Sequence, residues 1–474
     1  MKDILFINMP SAFTAYKGTK LNAGMQVYPL LSFTSLGAVL RGKGFNVAVL
    51  DMGIEDEPYK KLDKTLDELK PRVVGFTSTT PLYFEVKEIS GIVRKKLGPN
   101  VRIVYGGPHP TALPEDSLKE TDVNIIVCSE GENTLLEIME GKPLADINGI
   151  YYKKNGNIHS TPPRSLIRDL DALPFPALNL YDIKRYKCPK FLSKGSPTVN
   201  METSRGCPSA CTFCSKNIAG RLFRKKSPDR VLDEIKYMLK MGAGEIRIID
   251  DQFATDINRA KIICEKIIQA GLKFPWNLGN GVRVDRVDEE FLTLAKRAGC
   301  YQVGIGFESG DQASLDGINK GIKIEEGIRC MELIRKVGLE SVGFFMLGLP
   351  DDTEESLKKT VDFALRLMPD YAKVTITIPF PGTAMFEDYE RRGLIKSRDW
   401  TQYNLHRAGE IYRHPHLSYA TMKRYYDAFY WKYYFNPRFL TRRIVKSFSA
   451  GTVMLDVYYG LQTFFPTLFP AKPL

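Results

Sequence analysis

The stretch "PTVNMETSRGCPSACTFCSK", residues 197–216, runs a β-like segment straight into a polar loop holding Cys207, Cys211 and Cys214. The spacing is C-x3-C-x2-C, and no fourth cysteine follows until Cys264. A structural zinc site closes with four ligands, and no histidine lies between His159 and His406 to complete one locally. An iron–sulfur cube usually takes four thiolates too, but held by three it leaves one iron open to a substrate or cosubstrate. The plain alternative is three ordinary cysteines in a loop. Against it, Cys128, Cys188, Cys264, Cys300 and Cys330 stand singly in apolar runs, as buried cysteines usually do, while these three crowd a polar turn.

Downstream of the cysteines the chain alternates. Strand candidates are "PTVNMETS", "EIRIIDD", "WNLGNGVRV", "YQVGIGFES", "SVGFFMLGLP" and "AKVTITIPF", separated by helical runs such as "PDRVLDEIKYMLKMG" and "TEESLKKTVDFALRLM". Six units are too few for a closed eight-fold barrel, so residues 196–395 are expected to form a partial (β/α)6 TIM-type barrel with chemistry at the carboxyl ends of its strands. The cysteine loop follows the first of them.

Upstream, residues 1–142 show about five β-α units, from "DILFINM" to "VNIIVCSEGE", the pattern of an α/β, doubly wound, Rossmann-like sheet. Residues 143–195 lose the rhythm and carry prolines ("STPPRSL", "ALPFPAL"), which reads as a linker. The last segment, 396–474, is helical, aromatic and basic, with twelve Lys/Arg against four Asp/Glu, and so supplies +8 of the chain's +12. Three roles compete for it: a helical cap on the barrel mouth, a surface for anionic lipid, and a nucleic-acid patch, the last without a recognisable binding module.

At 474 residues, 43% hydrophobic and 26% charged, the chain reads as a multidomain soluble protein. "MKDILFINMP" lacks the features of a signal peptide, and the apolar run near the end is broken by Asp456 and Pro466, so the expected compartment is the reducing cytoplasm, with peripheral membrane contact as an addition.

"CPSACTFC" is similar to the signature of the radical S-adenosylmethionine (SAM) enzymes, with Phe213 as the aromatic before the last cysteine. The resemblance implies that Cys207, Cys211 and Cys214 hold a [4Fe-4S] cluster whose fourth iron is chelated by SAM, and that one-electron reduction yields a 5′-deoxyadenosyl radical. It also implies a SAM cradle: Asp250 or Asp251 for the ammonium, Arg283 for the carboxylate, Glu308 and Ser309 for ribose or amino-acid contacts, and Gly348 beside the adenine.

The amino-terminal domain resembles the cobalamin-binding domain of one large radical SAM subfamily. The matching pieces are "GFTSTT" (Gly75, Thr77, Ser78, Thr79), "YGGPHPTALPE" (Gly106, Gly107, His109, Thr111) and "CSEGENT" (Glu130, Gly131, Glu132). The Asp-x-His-x-x-Gly motif that ligates cobalt in methylcobalamin enzymes is absent, because "DMGIED" has no histidine. The implied activity is C-methylation of an unactivated carbon of a small-molecule or lipid substrate, fed by a flavodoxin- or ferredoxin-type reductant. Ring-forming, rearranging or lipid-coupling chemistry without methyl transfer is the enzymatic alternative, and a cobalamin or redox sensor the non-enzymatic one. No nucleic-acid partner is expected.

Overall fold

A computed structural model describes residues 2–12, 27–188, 193–404 and 410–464. The first sheet contains β1 (Ile4–Asn8), β2 (Val47–Asp51), β3 (Val73–Thr77), β4 (Arg102–Gly106) and β5 (Ile125–Val127), all parallel, in the order β2-β1-β3-β4-β5. Helices α1 (Leu31–Gly42), α2 (Pro58–Leu69), α3 (Tyr83–Leu97), α4 (Pro108–Ala112), α5 (Pro114–Glu120) and α6 (Glu132–Met139) connect and flank these strands. Helices on both faces explain why "ILFIN" of β1 is apolar almost throughout and wholly buried. The chain order reverses direction between β1 and β3, which opens a crevice at their carboxyl ends.

The stretch read as a linker contributes more than a connection. β6 (Ile150–Lys154) and β7 (Asn157–Ser160) form an antiparallel hairpin that extends the first sheet beyond β5. Its two-residue turn is Asn155–Gly156, with φ of 51° and 79°, the positive values that this dipeptide accepts readily.

The second sheet has six parallel strands: β8 (Thr198–Met201), then, after the two-residue strands β9 (Ser204–Arg205) and β10 (Arg224–Lys225), β11 (Glu245–Ile248), β12 (Trp276–Val282), β13 (Cys300–Glu308), β14 (Glu340–Leu347) and β15 (Tyr371–Ile376). Their order, β15-β14-β13-β12-β11-β8, follows the sequence, and among the described residues the two edges do not pair. This is the expected partial barrel. The helices between strands are α7 (Pro228–Lys240), α8 (Ile257–Gln269), α9 (Glu289–Arg297), α10 (Gln312–Gly317), α11 (Ile324–Val337) and α12 (Glu354–Leu367). They pack by their apolar stripes. In α7, Val231, Ile235 and Met238 are buried, and Ser227 caps the first turn by accepting from the Arg230 N–H. Each such side chain is worth about 1.5–3 kcal/mol when fully buried.

Beyond β15 follow α13 (Ala384–Arg391), α14 (Tyr419–Tyr434), α15 (Pro437–Ala450) and α16 (Val453–Phe464). α14 covers the open edge of the barrel and answers its unpaired backbone with phenol groups. Tyr434 accepts from the Ala372 N–H at 3.2 Å and donates to the Ala372 carbonyl at 2.8 Å, and Tyr430 donates to the Val374 carbonyl at 3.2 Å. The expected cap therefore seals an edge strand and reaches the mouth through Met422, Tyr412 and His414, whose Nε2 lies 2.8 Å from the Leu349 carbonyl oxygen. Among the described residues no helix is long and apolar enough to cross a membrane; Pro466 lies outside them.

Candidate active site

The cysteine loop leaves β8 and is closed at its neck by β9 and β10, which pair Arg205 with Arg224. Two backbone bonds seat its far half on the barrel: the Thr212 N–H donates to the Ile318 carbonyl and the Met385 N–H to the Thr212 carbonyl, each at 3.0 Å. Cys207 is buried, while Cys211 and Cys214 are partly exposed, and all three are free thiols. Burial raises the Cys211 thiol, opposed by the nearby Lys320 cation. Lys216 donates from Nζ to the Cys214 Sγ at 3.3 Å. Burial alone would lower the Lys216 pKa, but the negative potential of Cys214 and Cys207 raises it, so it stays a cation beside the sulfurs.

Among the described residues no three His, Cys, Asp or Glu side chains converge on one metal ion. A multi-iron cluster does not ask for that, since each thiolate meets a different iron. Three thiols around a loop with a cation at its rim fit such a cluster better than they fit zinc. The other cysteines are of a different kind: burial pushes Cys128 up to about 11 and Cys300 and Cys330 up to about 12, which makes them poor ligands.

Around this loop the predicted SAM residues divide. Phe213 packs on Ile318, Met346 and Leu349, an apolar wall at the mouth beside β14. Asp251 is exposed and accepts from the Gly206 N–H at 2.9 Å. Asp250 points inward. It is buried and takes bonds from the Thr203 N–H, the Thr203 hydroxyl and the Ser204 hydroxyl at 2.5–2.6 Å, so its carboxylate braces β8 against the loop and is not turned to a ligand. Of the pair, only Asp251 faces outward.

Arg283 departs from expectation as well. All five of its N–H groups have protein acceptors: Asp285 twice, the Ser209 hydroxyl, and the Lys320 and Gly321 carbonyls, at 2.7–3.2 Å. It ties the cysteine loop to the segment after α10 and has no donor left for an external carboxylate. Glu308 sits at a register shift of β13 with φ of +62°, a conformation that non-glycine residues rarely hold, and accepts from the Lys320 ammonium at 2.5 Å. Ser309 is buried and bonded to the Thr360 hydroxyl at 3.0 Å, so it braces α12. At Gly348, φ is +80° and a Cβ would strike the Met422 sulfur. The close approach this glycine permits is that of α14.

In the first domain a cavity of about 310 Å³ opens at the crevice between β1 and β3. Phe6, Phe33, Leu36 and Leu135 give it an apolar wall, and Gly75, Thr77, Gly106, Gly107 and Gly131 leave its floor thin. A slot of this kind suits a flat ring. Its fourth side belongs to the barrel, through Glu202, Arg205, Ile218 and Ala219. The cavity therefore lies directly against the cysteine loop.

Glu130 and Glu132 line it too, but their carboxylates are spent on the junction. Arg205 donates to Glu130 at 2.9 Å, Glu132 at 2.7 Å and Glu202 at 2.5 Å, and Arg224 donates again to Glu130. Burial alone would raise the Glu132 pKa, yet the Arg205 guanidinium holds it below the ordinary value. Four predicted cobalamin residues stay out of the cavity lining. The Ser78 hydroxyl bonds to the Tyr105 hydroxyl at 2.5 Å, Thr111 accepts from the Ser129 N–H, and Thr79 is exposed beside a turn. His109 is buried between Tyr83 and Trp400, and desolvation pushes its pKa down to about 3. It is a structural, neutral imidazole. Arg205, Lys216 and Lys320, which the sequence did not single out, are the charged groups that organise the loop.

The Radical SAM superfamily matches residues 201–364, and the B12 binding domain matches residues 19–139. A protein of Pyrococcus horikoshii described as an uncharacterized methyltransferase is 32% identical over 443 residues, covering 91% of this chain and 94% of its own. The anaerobic magnesium-protoporphyrin IX monomethyl ester cyclase of Rubrivivax gelatinosus is 29% identical over 381 residues, covering 78% and 67%. The solved structure of the radical S-adenosylmethionine methyltransferase TsrM from Kitasatospora setae, with cobalamin and a [4Fe-4S] cluster bound, superposes with a TM-score of 0.67 at 20% identity over 83% of this chain and 75% of that one.

Proposed function

This chain belongs to the B12-binding radical SAM enzymes, and from that premise we propose that it methylates an unactivated carbon of its substrate. It is a cobalamin-dependent radical SAM enzyme, with a [4Fe-4S] cluster, SAM and cobalamin as cofactors. When bound, these supply a hydrogen-abstracting 5′-deoxyadenosyl radical and a transferable methyl group. The observation that carries the reading is the shared wall: the crevice of the first domain opens onto the loop of Cys207, Cys211 and Cys214, with Arg205 anchoring both.

We assign the cluster to those three cysteines, the apolar contact of SAM to Phe213, and its ammonium to Asp251. The cobalamin tail goes to the slot over Gly75, Thr77, Gly106, Gly107 and Gly131. The domains divide as 1–142, 196–395 and 396–474, and the hairpin in 143–195 is grouped with the first sheet. Electrons come from a flavodoxin- or ferredoxin-type protein. The protein's own work is to hold two cofactors face to face and keep water from the radical. The cyclase relative favours a second reading, ring formation without methyl transfer. SAM with a deuterated methyl group, supplied with cobalamin, a low-potential reductant and an extract of the native host's small molecules and lipids, separates the two. Methylation requires a labelled product, with 5′-deoxyadenosine and S-adenosylhomocysteine in comparable amounts. 5′-Deoxyadenosine with no labelled product would overturn it.

A peripheral site of action at a cytoplasmic membrane surface is part of the proposal. Along α15, Leu440, Ile444 and Phe448 share one stripe, with Val445 beside them; they are 41%, 52%, 70% and 64% exposed. Arg438, Arg442 and Lys446 follow at four-residue spacing on the adjoining flank, Arg442 and Lys446 sharing the single carboxylate of Asp370, and Arg335 and Arg366 lie beside them. An exposed apolar face bordered by cations fits an anionic bilayer. Vesicles of phosphatidylglycerol should sediment the protein in a salt-sensitive way, and a Val445→Glu/Phe448→Glu variant should stay in solution. Equal sedimentation with phosphatidylcholine would refute the electrostatic part.

A further inference from the structure

The inner face of the barrel can be traced through its register. Arg247 pairs with Asn277, Asn277 with Gln302, and two residues along β13 Gly304 shares the same face; Gly306 then pairs with Phe344, and Phe344 with Lys373. Arg247 and Lys373 therefore point into one lumen, opposite the face that the helices cover. The burial pattern agrees, since Ala372, Val374 and Ile376 are buried while Lys373 between them keeps accessible surface. Arg247 reaches across β12 because Gly279 lacks a side chain: a Cβ there would strike its guanidinium, which instead donates to the Gly279 carbonyl at 3.4 Å.

We propose that Arg247 and Lys373 together bind an anionic group of the substrate, a carboxylate or a phosphate-type group, inside the barrel. The carboxylates that could otherwise neutralise the lumen are engaged at its two ends. Glu245 accepts from the Lys194 and Gly195 N–H groups, Asn277 and Tyr301, and Glu340 pairs with Lys194 at 3.3 Å. Glu308 is held by Lys320 and Glu202 by Arg205, each at 2.5 Å. Among the described residues Lys373 makes no hydrogen bond or ion pair. It is partly accessible to solvent, and desolvation, with the Arg247 cation adding repulsion, pushes its pKa down to about 8. Two cations facing a common interior repel each other strongly at low dielectric, and an oxyanion between them relieves both. A guanidinium fork and a point ammonium recognise the two or three oxygens of such a group.

The inference rests on the barrel enclosing the substrate, but it is tested without turnover. Acetic anhydride reacts with free amines, so in anaerobic holoenzyme at mildly alkaline pH Lys373 should be acetylated well ahead of surface lysines, read by peptide mass spectrometry. Sulfate, as a minimal oxyanion, should slow that acetylation about tenfold relative to chloride at matched ionic strength. Arg247→Gln should lose the protection, and Arg247→Lys should keep part of it. No protection of the wild-type protein would overturn the proposal, as would protection that persists in Arg247→Gln. Equal protection by SAM alone would assign the cations to the cosubstrate's carboxylate and overturn it too. Failure of the methyl-transfer experiment would leave these results standing.

Discussion

Arg205→Met should weaken the junction between the two cofactor domains by an amount that depends on pH. Arg205 is 11% exposed, Glu130 and Glu132 are each 6% exposed, and its guanidinium divides among three carboxylates. Once it is removed, Glu130 keeps Arg224, but Glu132 is left with the Ser35 hydroxyl and Glu202 loses the one ion pair it makes among the described residues. Stranding a buried charge typically costs about 3–5 kcal/mol, and protonation of the orphan sets the upper limit. The sign follows from Glu132. Its folded pKa is depressed below the ordinary 4.5, so its contribution is present above that value and is lost as pH falls through the folded one. In the variant, burial acts unopposed and the carboxyl takes up a proton readily, so the deficit against wild type should be largest near pH 8 and shrink toward about pH 5. Equilibrium urea unfolding followed by circular dichroism at several pH values measures it. Arg205→Lys should recover part of the loss, since one ammonium serves fewer partners. A deficit under about 1 kcal/mol at pH 8, or one that does not change with pH, would refute this account of the junction.

Single Cys207→Ala, Cys211→Ala and Cys214→Ala variants should each lose cluster iron on anaerobic reconstitution, whereas a variant replacing the other five cysteines should reconstitute if it folds; iron and sulfide analysis decides. His109→Leu should leave the visible spectrum of bound cobalamin unchanged. Because the folded His109 pKa is pushed down to about 3, the wild type should lose stability as pH falls from 6.5, at about 1.4 kcal/mol per unit, and the variant should lack that slope.

The strands and helices were legible because their periodicities are strong and turn residues separate them. The hairpin after β5 was missed although Asn155–Gly156 is a turn signal, because the prolines that follow dominate the reading. Motif position named candidate SAM residues but could not orient them. Asp250 and Asp251 are adjacent in sequence, and only the fold decides that the first is saturated by Thr203 and Ser204 while the second faces outward. Arg283 likewise falls at the expected place with its donors consumed. Arg205 carried no signal at all, since its three carboxylate partners come from two domains. Lys373 looks like an ordinary solvent residue in "AKVTITIPF" until β15 is known to line a lumen.

The phenols of α14 that answer the backbone of β15 set the timing of biosynthesis. The exposed strand is translated first, and the tyrosines that protect it leave the ribosome roughly sixty residues later, an interval of about 3–12 s at about 5–20 residues per second. During that interval the nascent barrel presents a bare strand able to capture another chain by backbone pairing. α14 thus completes the barrel after its strands are made, and a chain truncated before Tyr419 should emerge as an aggregating species even though every strand of the barrel has been synthesised.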